Sequence, residues 1–268
     1  MRKTWIPVLL ACATAAGGCG ASNAQFLTED RKSNGLVIIL PGIEGESRFN
    51  HDIRRGLVSA GLYRAMPIYS WGRPIPIAGP LINQMDIIGN RLAGIRIARM
   101  IEQYQDAYPD RPVYLVGHSG GGGVAVFAAE ALKDDRQVDG LVLLSASISS
   151  GYDLTKALAH CRNGIVNFYT KADVAFLMIG TTLAGNVDGM RGPAAGAVGF
   201  SKSFPKLYQV ELADSQVEGD AHSAATHAAF VSTHVAPWLT ANWPAGAYAS
   251  PARGEAKILA SAAAVPIR

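Results

Sequence analysis

Cysteine is scarce in this 268-residue chain: there are three, and none stands in a Cys-x-x-Cys pair or at zinc-type spacing from histidine. That scarcity argues against a structural zinc site or a disulfide scaffold. Charged residues are also few, at 17%, and 24 Lys plus Arg against 21 Asp plus Glu give no strongly basic character for binding nucleic acid. Because 49% of the residues are hydrophobic, the chain can bury a sizeable core, and a wholly disordered protein is excluded.

The N-terminus has the outline of an export signal. Arg2 and Lys3 precede an uncharged run over 5–16, which is shorter than the roughly twenty residues that span a bilayer. The small residues before Cys19 resemble a bacterial lipoprotein box, whose cysteine becomes the acylated first residue. We therefore expect a signal peptide over 1–18 and a cell-envelope lipoprotein anchored at Cys19. If Cys19 is not lipidated, the protein is secreted or periplasmic, and a bridge from Cys19 to Cys161 stays open.

From Gly35 onward, short β-branched runs alternate with longer helical patterns, the order that produces a parallel sheet covered by helices on both faces. The runs predict strands over 36–40, 64–71, 113–116, 141–145, 165–169 and 207–212. Helices are predicted over 51–62, 88–104, 124–132 and 230–238. We expect a linker over 19–34, one α/β domain over 35–240 and a loose Ala/Pro/Gly-rich tail over 241–268.

The helix predicted over 88–104 has an apolar repeat. Its hydrophobic residues recur every three or four positions, the spacing of one helix face. We expect this face to be buried, and its members are Ile88, Leu92, Ile95, Ala98, Ile101 and Tyr104.

One glycine-rich turn carries the chemistry. Gly117-x-Ser119-x-Gly121 matches the G-x-S-x-G nucleophile elbow, a sharp strand-to-helix turn that exposes a strained serine and needs glycines because the backbone leaves no room for side chains. The pattern alone is weak, but an apolar run over 113–116 enters the turn and a small-residue helical stretch leaves it. Ser119 is therefore the candidate nucleophile. The alternative is a turn that only lets helix and strand pack closely.

On these residues the chain resembles the α/β-hydrolase superfamily, over about 35–239, and within it the smaller lipase- and esterase-like members without a large inserted lid domain. The resemblance implies a mostly parallel central sheet with helices on both faces. It also implies hydrolysis without a metal or organic cofactor. In that superfamily an acid and then a histidine follow the serine along the chain.

The resemblance places the acid after a later strand. Asp173, which closely follows the predicted strand 165–169, is the leading candidate. Asp153, past the preceding strand, is the second choice, and Asp188 and Asp214 stay open. The acid would accept a hydrogen bond from the imidazole and fix its tautomer.

The resemblance places the histidine just before the last helix. His222 lies there and is the candidate base, with His227 as runner-up. His234 shares the apolar stripe of the last helix, and His118 stands beside the serine where the side chain points away, so packing is the better interpretation of both. The two histidines without supporting context are His51 and His160.

Hydrolysis also needs hydrogen-bond donors for the oxyanion. The backbone N–H of Gly120 is the first candidate. By resemblance, the second comes from the loop after the first strand, where Ile43 is our choice and Glu44 the alternative. The segments 174–179 and 75–82 would line an acyl pocket, or they are ordinary core and short-helix segments.

These residues predict an exported serine hydrolase that cleaves carboxylic esters of a small-molecule or lipid acyl substrate. The membrane would be reached only through the lipid anchor. A peptidase or amidase on the same fold is one alternative, and a surface-anchored binding protein without activity is the other.

Overall fold

The computed structural model describes residues 21–72, 79–173, 185–217, 219–240 and 243. Five strands lie in it: β1 (Leu36–Leu40), β2 (Val113–His118), β3 (Gly140–Leu144), β4 (Ile165–Tyr169) and β5 (Leu207–Glu211). The helices are α1 (Ala21–Ala24), α2 (Glu29–Ser33), α3 (Arg48–Ser59), α4 (Gly79–Met85), α5 (Ile87–Ala107), α6 (Gly120–Glu130), α7 (Thr155–Ala159), α8 (Ala195–Val198), α9 (Ala228–Phe230) and α10 (Pro237–Thr240). Among the described residues, no helix is both long and apolar enough to cross a membrane.

The strands form one parallel sheet in the order β1-β2-β3-β4-β5. Every residue of β1, β2 and β3 is buried, which explains why these strands read as continuous apolar runs and not as alternating ones. All five strands predicted at these positions are confirmed, within a residue or two at their ends. The parallel arrangement sets the carboxyl ends of the strands along one edge of the sheet, where loops collect.

Each face of the sheet has its own hydrophobic layer. On β1, Leu36, Ile38 and Leu40 pack with residues of α5 and α6, while Val37 and Ile39 pack with α3 and the C-terminal helices. The alternation follows from the two-residue period of a strand. The sheet is thus covered by helices on both sides, as the sequence predicts.

The segment predicted as a linker contains structure. Within 19–34, the described part forms α1 and α2. Asn23 is buried, its Nδ2 donates to the Ile68 carbonyl at 3.0 Å, and Phe26 packs against the core. The described part of this segment is therefore attached to the domain.

The strand predicted over 64–71 is not regular. It makes only two isolated parallel bridges, from Ala65 to Leu36 and from Ile68 to Ile39. The Ala65 N–H donates to the Gly35 carbonyl, directly before β1, at 3.0 Å, and the Tyr69 N–H donates to the Ile39 carbonyl of β1 at 2.9 Å. Pro67 stands midway between these donors and has no N–H, so the ladder to β1 is interrupted there.

The apolar face predicted for α5 is only half right. Ala98, Ile101 and Tyr104 are buried, but Ile88 is 75% exposed and Leu92 48% exposed. In the first half of the helix the packed residues are instead Asn90, Ala93, Gly94 and Ile97. The reason is that α5 approaches α6 through small residues: a Cβ on Gly94 would lie 2.8 Å from Phe127 Cβ, a distance too short for any larger side chain.

The last helix predicted over 230–238 is broken into α9, a π-helical turn over Val231–Val235, and α10. Pro237 begins α10, because proline lacks the N–H that would continue the helix before it. Only Trp243 of the predicted tail 241–268 is described. Its indole is buried and contacts the rings of Tyr208 and Trp238.

Two isoleucines of α5 can test which face of this helix is buried. Ile97 is fully buried and Ile95 is 37% exposed. We expect Ile97→Ala to lower the free energy of unfolding by about 2–5 kcal/mol, because it leaves a cavity against α6, and Ile95→Ala to lower it by less than about 1 kcal/mol. Urea unfolding of the two variants measures this. Equal losses would contradict the orientation described.

Candidate active site

Ser119 lies in a strained turn between β2 and α6. Its backbone has φ 52° and ψ −123°, a region that residues other than glycine rarely adopt and that costs about 1–3 kcal/mol. A Cβ on Gly121 would run into the carbonyl oxygens of Leu40 and Pro41, and one on Gly117 would lie 2.7 Å from Gly122 Cα. The two glycines of the motif are therefore required by the close approach of the backbone.

The serine, a histidine and an aspartate form a continuous hydrogen-bonded chain. Ser119 Oγ lies 2.9 Å from His222 Nε2, and His222 Nδ1 lies 2.7 Å from Asp173 Oδ2. Because a carboxylate only accepts, Nδ1–H donates to Asp173 and Nε2 is left to accept from the serine hydroxyl. The three side chains are almost enclosed, with 6%, 8% and 1% of Ser119, His222 and Asp173 exposed.

Asp173 ends the 3₁₀ turn Lys171–Asp173 that follows β4. Burial raises the pKa of its carboxyl, and the hydrogen bond and positive charge of His222 oppose that rise. Its other oxygen, Oδ1, has no hydrogen-bond partner among the described residues. The carboxylate is thus committed to the imidazole, which favours positive charge on the ring.

A comparison with known protein families supports the fold that the sheet topology indicates. Residues 79–176, which include β2, the serine turn and β4, match a family model described as the alpha/beta hydrolase fold. The chain has the α/β-hydrolase fold. The fold class predicted from the sequence is confirmed, and this fold suggests hydrolase activity.

Solved structures with some likeness are distant. Aspergillus fumigatus lipase B is 12% identical with a TM-score of 0.49, over 86% of this chain and 57% of the lipase, so the chain spans little more than half of that protein. Esterase PE8 is 13% identical with a TM-score of 0.40, over 72% of this chain and 90% of the esterase. MenH from S. aureus is 11% identical with a TM-score of 0.38, over 72% and 88%. No curated protein matches the sequence.

The two predicted oxyanion donors are the N–H groups of Ile43 and Gly120, and these two residues pack closely against each other in this α/β-hydrolase fold. A Cβ on Gly120 would lie 2.9 Å from Ile43 Cγ2, 3.2 Å from Trp71 Cζ2 and 3.3 Å from Val187 Cγ1. Within the described part of the chain, the N–H groups of Ile43 and Gly120 donate to no other group. Both donors are therefore free to bind an oxygen placed near Ser119.

The loop after β1 is held by two side chains that the sequence analysis did not identify. Trp71 Nε1 donates to the Pro41 carbonyl at 2.7 Å, and Asn83 Nδ2 donates to the Ile43 carbonyl at 3.0 Å. These bonds orient the peptide groups on either side of the Gly42–Ile43 peptide, which carries the Ile43 N–H. Trp71 and Asn83 thereby fix the donor's direction.

A network of buried amides connects this loop to the loops across the site. Gln84 Nε2 donates to Ser147 Oγ at 2.9 Å and to the Gly185 carbonyl at 2.7 Å. Asn90 Nδ2 donates to the carbonyls of Asn83 and Val187, at 3.0 and 3.3 Å. Buried amides are costly unless bonded, so α4 and the start of α5 hold these loops in one arrangement. The sequence signal for this network is the Asn83-Gln84 pair in an otherwise apolar stretch.

Glu44 places a negative charge beside the site. Its carboxylate folds back over Gly42, next to Ile43, and accepts from Ser47 Oγ at 3.2 Å. Burial raises the pKa of this carboxyl, while the hydrogen bond from Ser47 and the charge of His222 oppose the rise. No lysine or arginine of the described ranges forms an ion pair with it.

The other candidate acids have partners elsewhere. Asp153 accepts from the Thr155 N–H at 2.9 Å, and this contact lowers its pKa. Asp188 accepts from the Ser149 N–H at 3.3 Å, and burial raises its pKa. Asp214 begins a 3₁₀ turn after β5. Of the four predicted acids, Asp173 is the one hydrogen-bonded to His222.

The remaining histidines also differ in their surroundings. His227 occupies the N-cap position of α9 without a capping bond from its side chain, and the His234 ring lies 4.8 Å from the Phe230 ring, where burial lowers the pKa of His234. His160 Nδ1 bonds to the Arg136 carbonyl at 2.9 Å, and His51 contacts Glu46. Neither His227 nor His234 is hydrogen-bonded to Ser119 in the described structure.

The predicted pocket segments are largely outside the described residues. All of 174–179 and residues 75–78 lie outside them, while 79–82 belong to α4. Cys19 and the predicted signal peptide over 1–18 also lie outside. Cys161 is buried, and burial raises its pKa to about 12, so it is not a competing nucleophile. In the described ranges, no three His, Cys, Asp or Glu side chains are grouped to hold a metal ion.

Proposed function

We propose that this protein is a serine hydrolase that cleaves carboxylic esters through an acyl-enzyme. The observation that carries the proposal is the 2.9 Å contact between Ser119 Oγ, in its strained turn, and His222 Nε2. A serine hydroxyl is a weak nucleophile until a base accepts its proton. The aspartate behind the imidazole stabilises the positive charge that this transfer creates.

The proposed reaction has two halves. Ser119 Oγ attacks the carbonyl carbon as its proton passes to His222 Nε2, and the N–H groups of Gly120 and Ile43 bind the oxyanion. The tetrahedral adduct collapses, the ester C–O bond breaks, and His222 protonates the departing alcohol. Water then repeats the sequence on the acyl-enzyme, which releases the carboxylic acid and restores the serine.

The charge of Glu44 bears on which ester is cleaved. A carboxylate next to the oxyanion donors repels a negatively charged substrate and attracts a positively charged one. Among the described residues, no lysine or arginine pairs with the Glu44 carboxylate, and the positive charge that acts on it is that of His222. We infer that the site favours cationic esters over neutral ones and disfavours anionic esters.

Export belongs to the same proposal. The leader over 1–18 and the lipoprotein-like residues before Cys19 would place the hydrolase in the cell envelope as a lipoprotein. The acyl substrate would then be met outside the cytoplasm, with the membrane reached through the lipid anchor alone.

The triad is tested by Ser119→Ala and His222→Ala on short and medium p-nitrophenyl esters. We expect kcat/KM to fall by about 10⁴-fold or more in both, because nucleophile and base act as a unit. His227→Ala is the matched control and should stay within about threefold of the parent protein. Unchanged turnover in the Ser119 variant would remove the mechanism.

Faster cleavage of aminoacyl anilides than of esters would make the protein an amidase, and failure of a fluorophosphonate to label Ser119 would favour a binding protein.

Substrate charge is tested by Glu44→Gln on two esters of the same shape, one with a quaternary ammonium group and one with the neutral tert-butyl isostere. We expect the parent protein to prefer the cationic ester by about 5- to 20-fold in kcat/KM at low salt, and less at high salt. Glu44→Gln should bring the ratio close to one. Glu46→Gln, whose carboxylate pairs with His51 at 3.1 Å, is the control and should keep the preference. An unchanged ratio in Glu44→Gln would exclude this role.

The anchor is tested by mass spectrometry of the N-terminal peptide after expression in a bacterial host. We expect a diacylglyceryl group on Cys19 and partition of the protein into detergent, both abolished by Cys19→Ser. A mature N-terminus without lipid in the parent protein would show plain secretion.

A further inference from the structure

The mechanism does not use the second imidazole at the centre of the site. His118 is the last residue of β2, directly before Ser119, and is 1% exposed. Its ring lies between two others, with centroids 5.7 Å from Phe49 and 5.0 Å from His222. A polar ring buried this deeply needs a hydrogen bond or a function.

The ring has one hydrogen bond, to the backbone of the proposed base. His118 Nε2 lies 3.2 Å from the His222 carbonyl oxygen. Because a carbonyl only accepts, Nε2 carries the proton and donates. Nδ1 is then unprotonated, and it has no partner among the described residues. The contact thus fixes the tautomer and orientation of His118.

His118 stays uncharged while it makes this contact. Burial lowers its pKa to about 3, and the nearby charge of His222 acts in the same direction. Asp220 and the hydrogen bond to the His222 carbonyl oppose the shift without overcoming it. Above about pH 5 the imidazolium that forms on His222 therefore faces a neutral ring and not a second cation.

The hydrogen bond matters because His222 lies outside regular structure. It is in the turn after β5, where its own N–H donates to Asp220 Oδ1 at 3.3 Å. His118, in contrast, belongs to a fully buried strand paired with its neighbours on both sides. A loop residue is thereby attached to the strand end that also carries the nucleophile.

We propose that His118 is a positioning residue that sets His222 against Ser119 through the backbone carbonyl of His222. This rests on the proposed function, in which His222 is the base. Strand β2 then positions both partners of the proton transfer. Ser119 directly follows its last residue, and that residue, His118, holds His222. An error of about 1 Å in such a contact costs about 100-fold in rate.

The test compares three replacements of His118. His118→Gln keeps an amide N–H at the reach of Nε2, His118→Asn keeps the amide but falls short, and His118→Phe keeps a ring without a donor. We expect kcat on p-nitrophenyl esters to fall about 10- to 100-fold in the Phe and Asn variants, with KM within threefold. The Gln variant should recover to within about fivefold of the parent protein. His160→Phe, which removes another buried histidine from its backbone carbonyl contact, should leave kcat unchanged.

A second measurement does not depend on turnover. The proton between His222 Nδ1 and Asp173 should give a far-downfield NMR resonance that persists in the parent protein, His118→Gln and Ser119→Ala. We expect it to broaden or shift in His118→Phe and His118→Asn. Equal kcat in the Gln and Asn variants, or an unshifted resonance in both Asn and Phe, would overturn the proposal. If His118→Phe does not fold, the Gln and Asn pair decides the question.

Failure of the proposed function has a different signature. In that case Ser119→Ala and His222→Ala retain turnover in the presence of an intact His118. Failure of the His118 proposal leaves those two variants inactive while the His118 variants keep their kcat.

Discussion

The close approach of the backbone at Ser119 is the constraint on which the rest of this site depends. The left-handed conformation of the serine turns the chain from β2 into α6 within one residue. It is possible because Gly121 faces the carbonyls at the end of β1 without a side chain. The same contact brings the loop after β1 beside Gly120, so the steric requirement of the turn also brings together the two proposed oxyanion donors. The proposed nucleophile and the proposed donors thus depend on one packing arrangement.

Around this turn, buried polar side chains on α4, α5 and β2 bind the backbone of the surrounding loops. The amides of Asn83, Gln84 and Asn90 connect the loops on opposite sides of the serine, and each is buried and bonded. His118 connects the histidine loop to β2. These hydrogen bonds connect the loops that surround Ser119. The polar groups orient the loops, and the apolar layers on the two faces of the sheet provide most of the stability.

The electrostatics of the site divide into two regions. Behind the imidazole, Asp173 is buried and favours positive charge on His222. In front of it, Glu44 stands at the oxyanion loop, where a negative charge opposes the oxyanion unless the substrate carries a cation. The neutral ring of His118 adds no charge of its own. The effect of the Glu44 carboxylate on a substrate therefore depends on the charge of the substrate's alcohol or acyl group.

Sequence patterns predicted the sheet well because buried parallel strands and the serine turn have local signals. The five strands, the turn and the order of acid and histidine follow from short runs and from the resemblance. Two elements were predicted wrongly for reasons that are not local. Pro67 interrupts the edge ladder only because Ala65 and Tyr69 pair with β1, and the buried face of α5 shifts because Gly94 meets Phe127. Neither contact partner is close in sequence.

The amino-acid sequence was enough to predict the order of the candidate residues along the chain: a serine between glycines, then an acid after a strand, then a histidine before the last helices. The serine turn is a property of residue type and local spacing, whereas the positions of the acid and the histidine are implied by the resemblance. The folded chain was needed to find that Asp173 and His222 meet, that Trp71 and Asn83 hold the predicted oxyanion loop, and that His118 binds the backbone of His222. These contacts join residues 30 to 104 positions apart, and their formation depends on how the helices cover the sheet and not on any pattern within one segment.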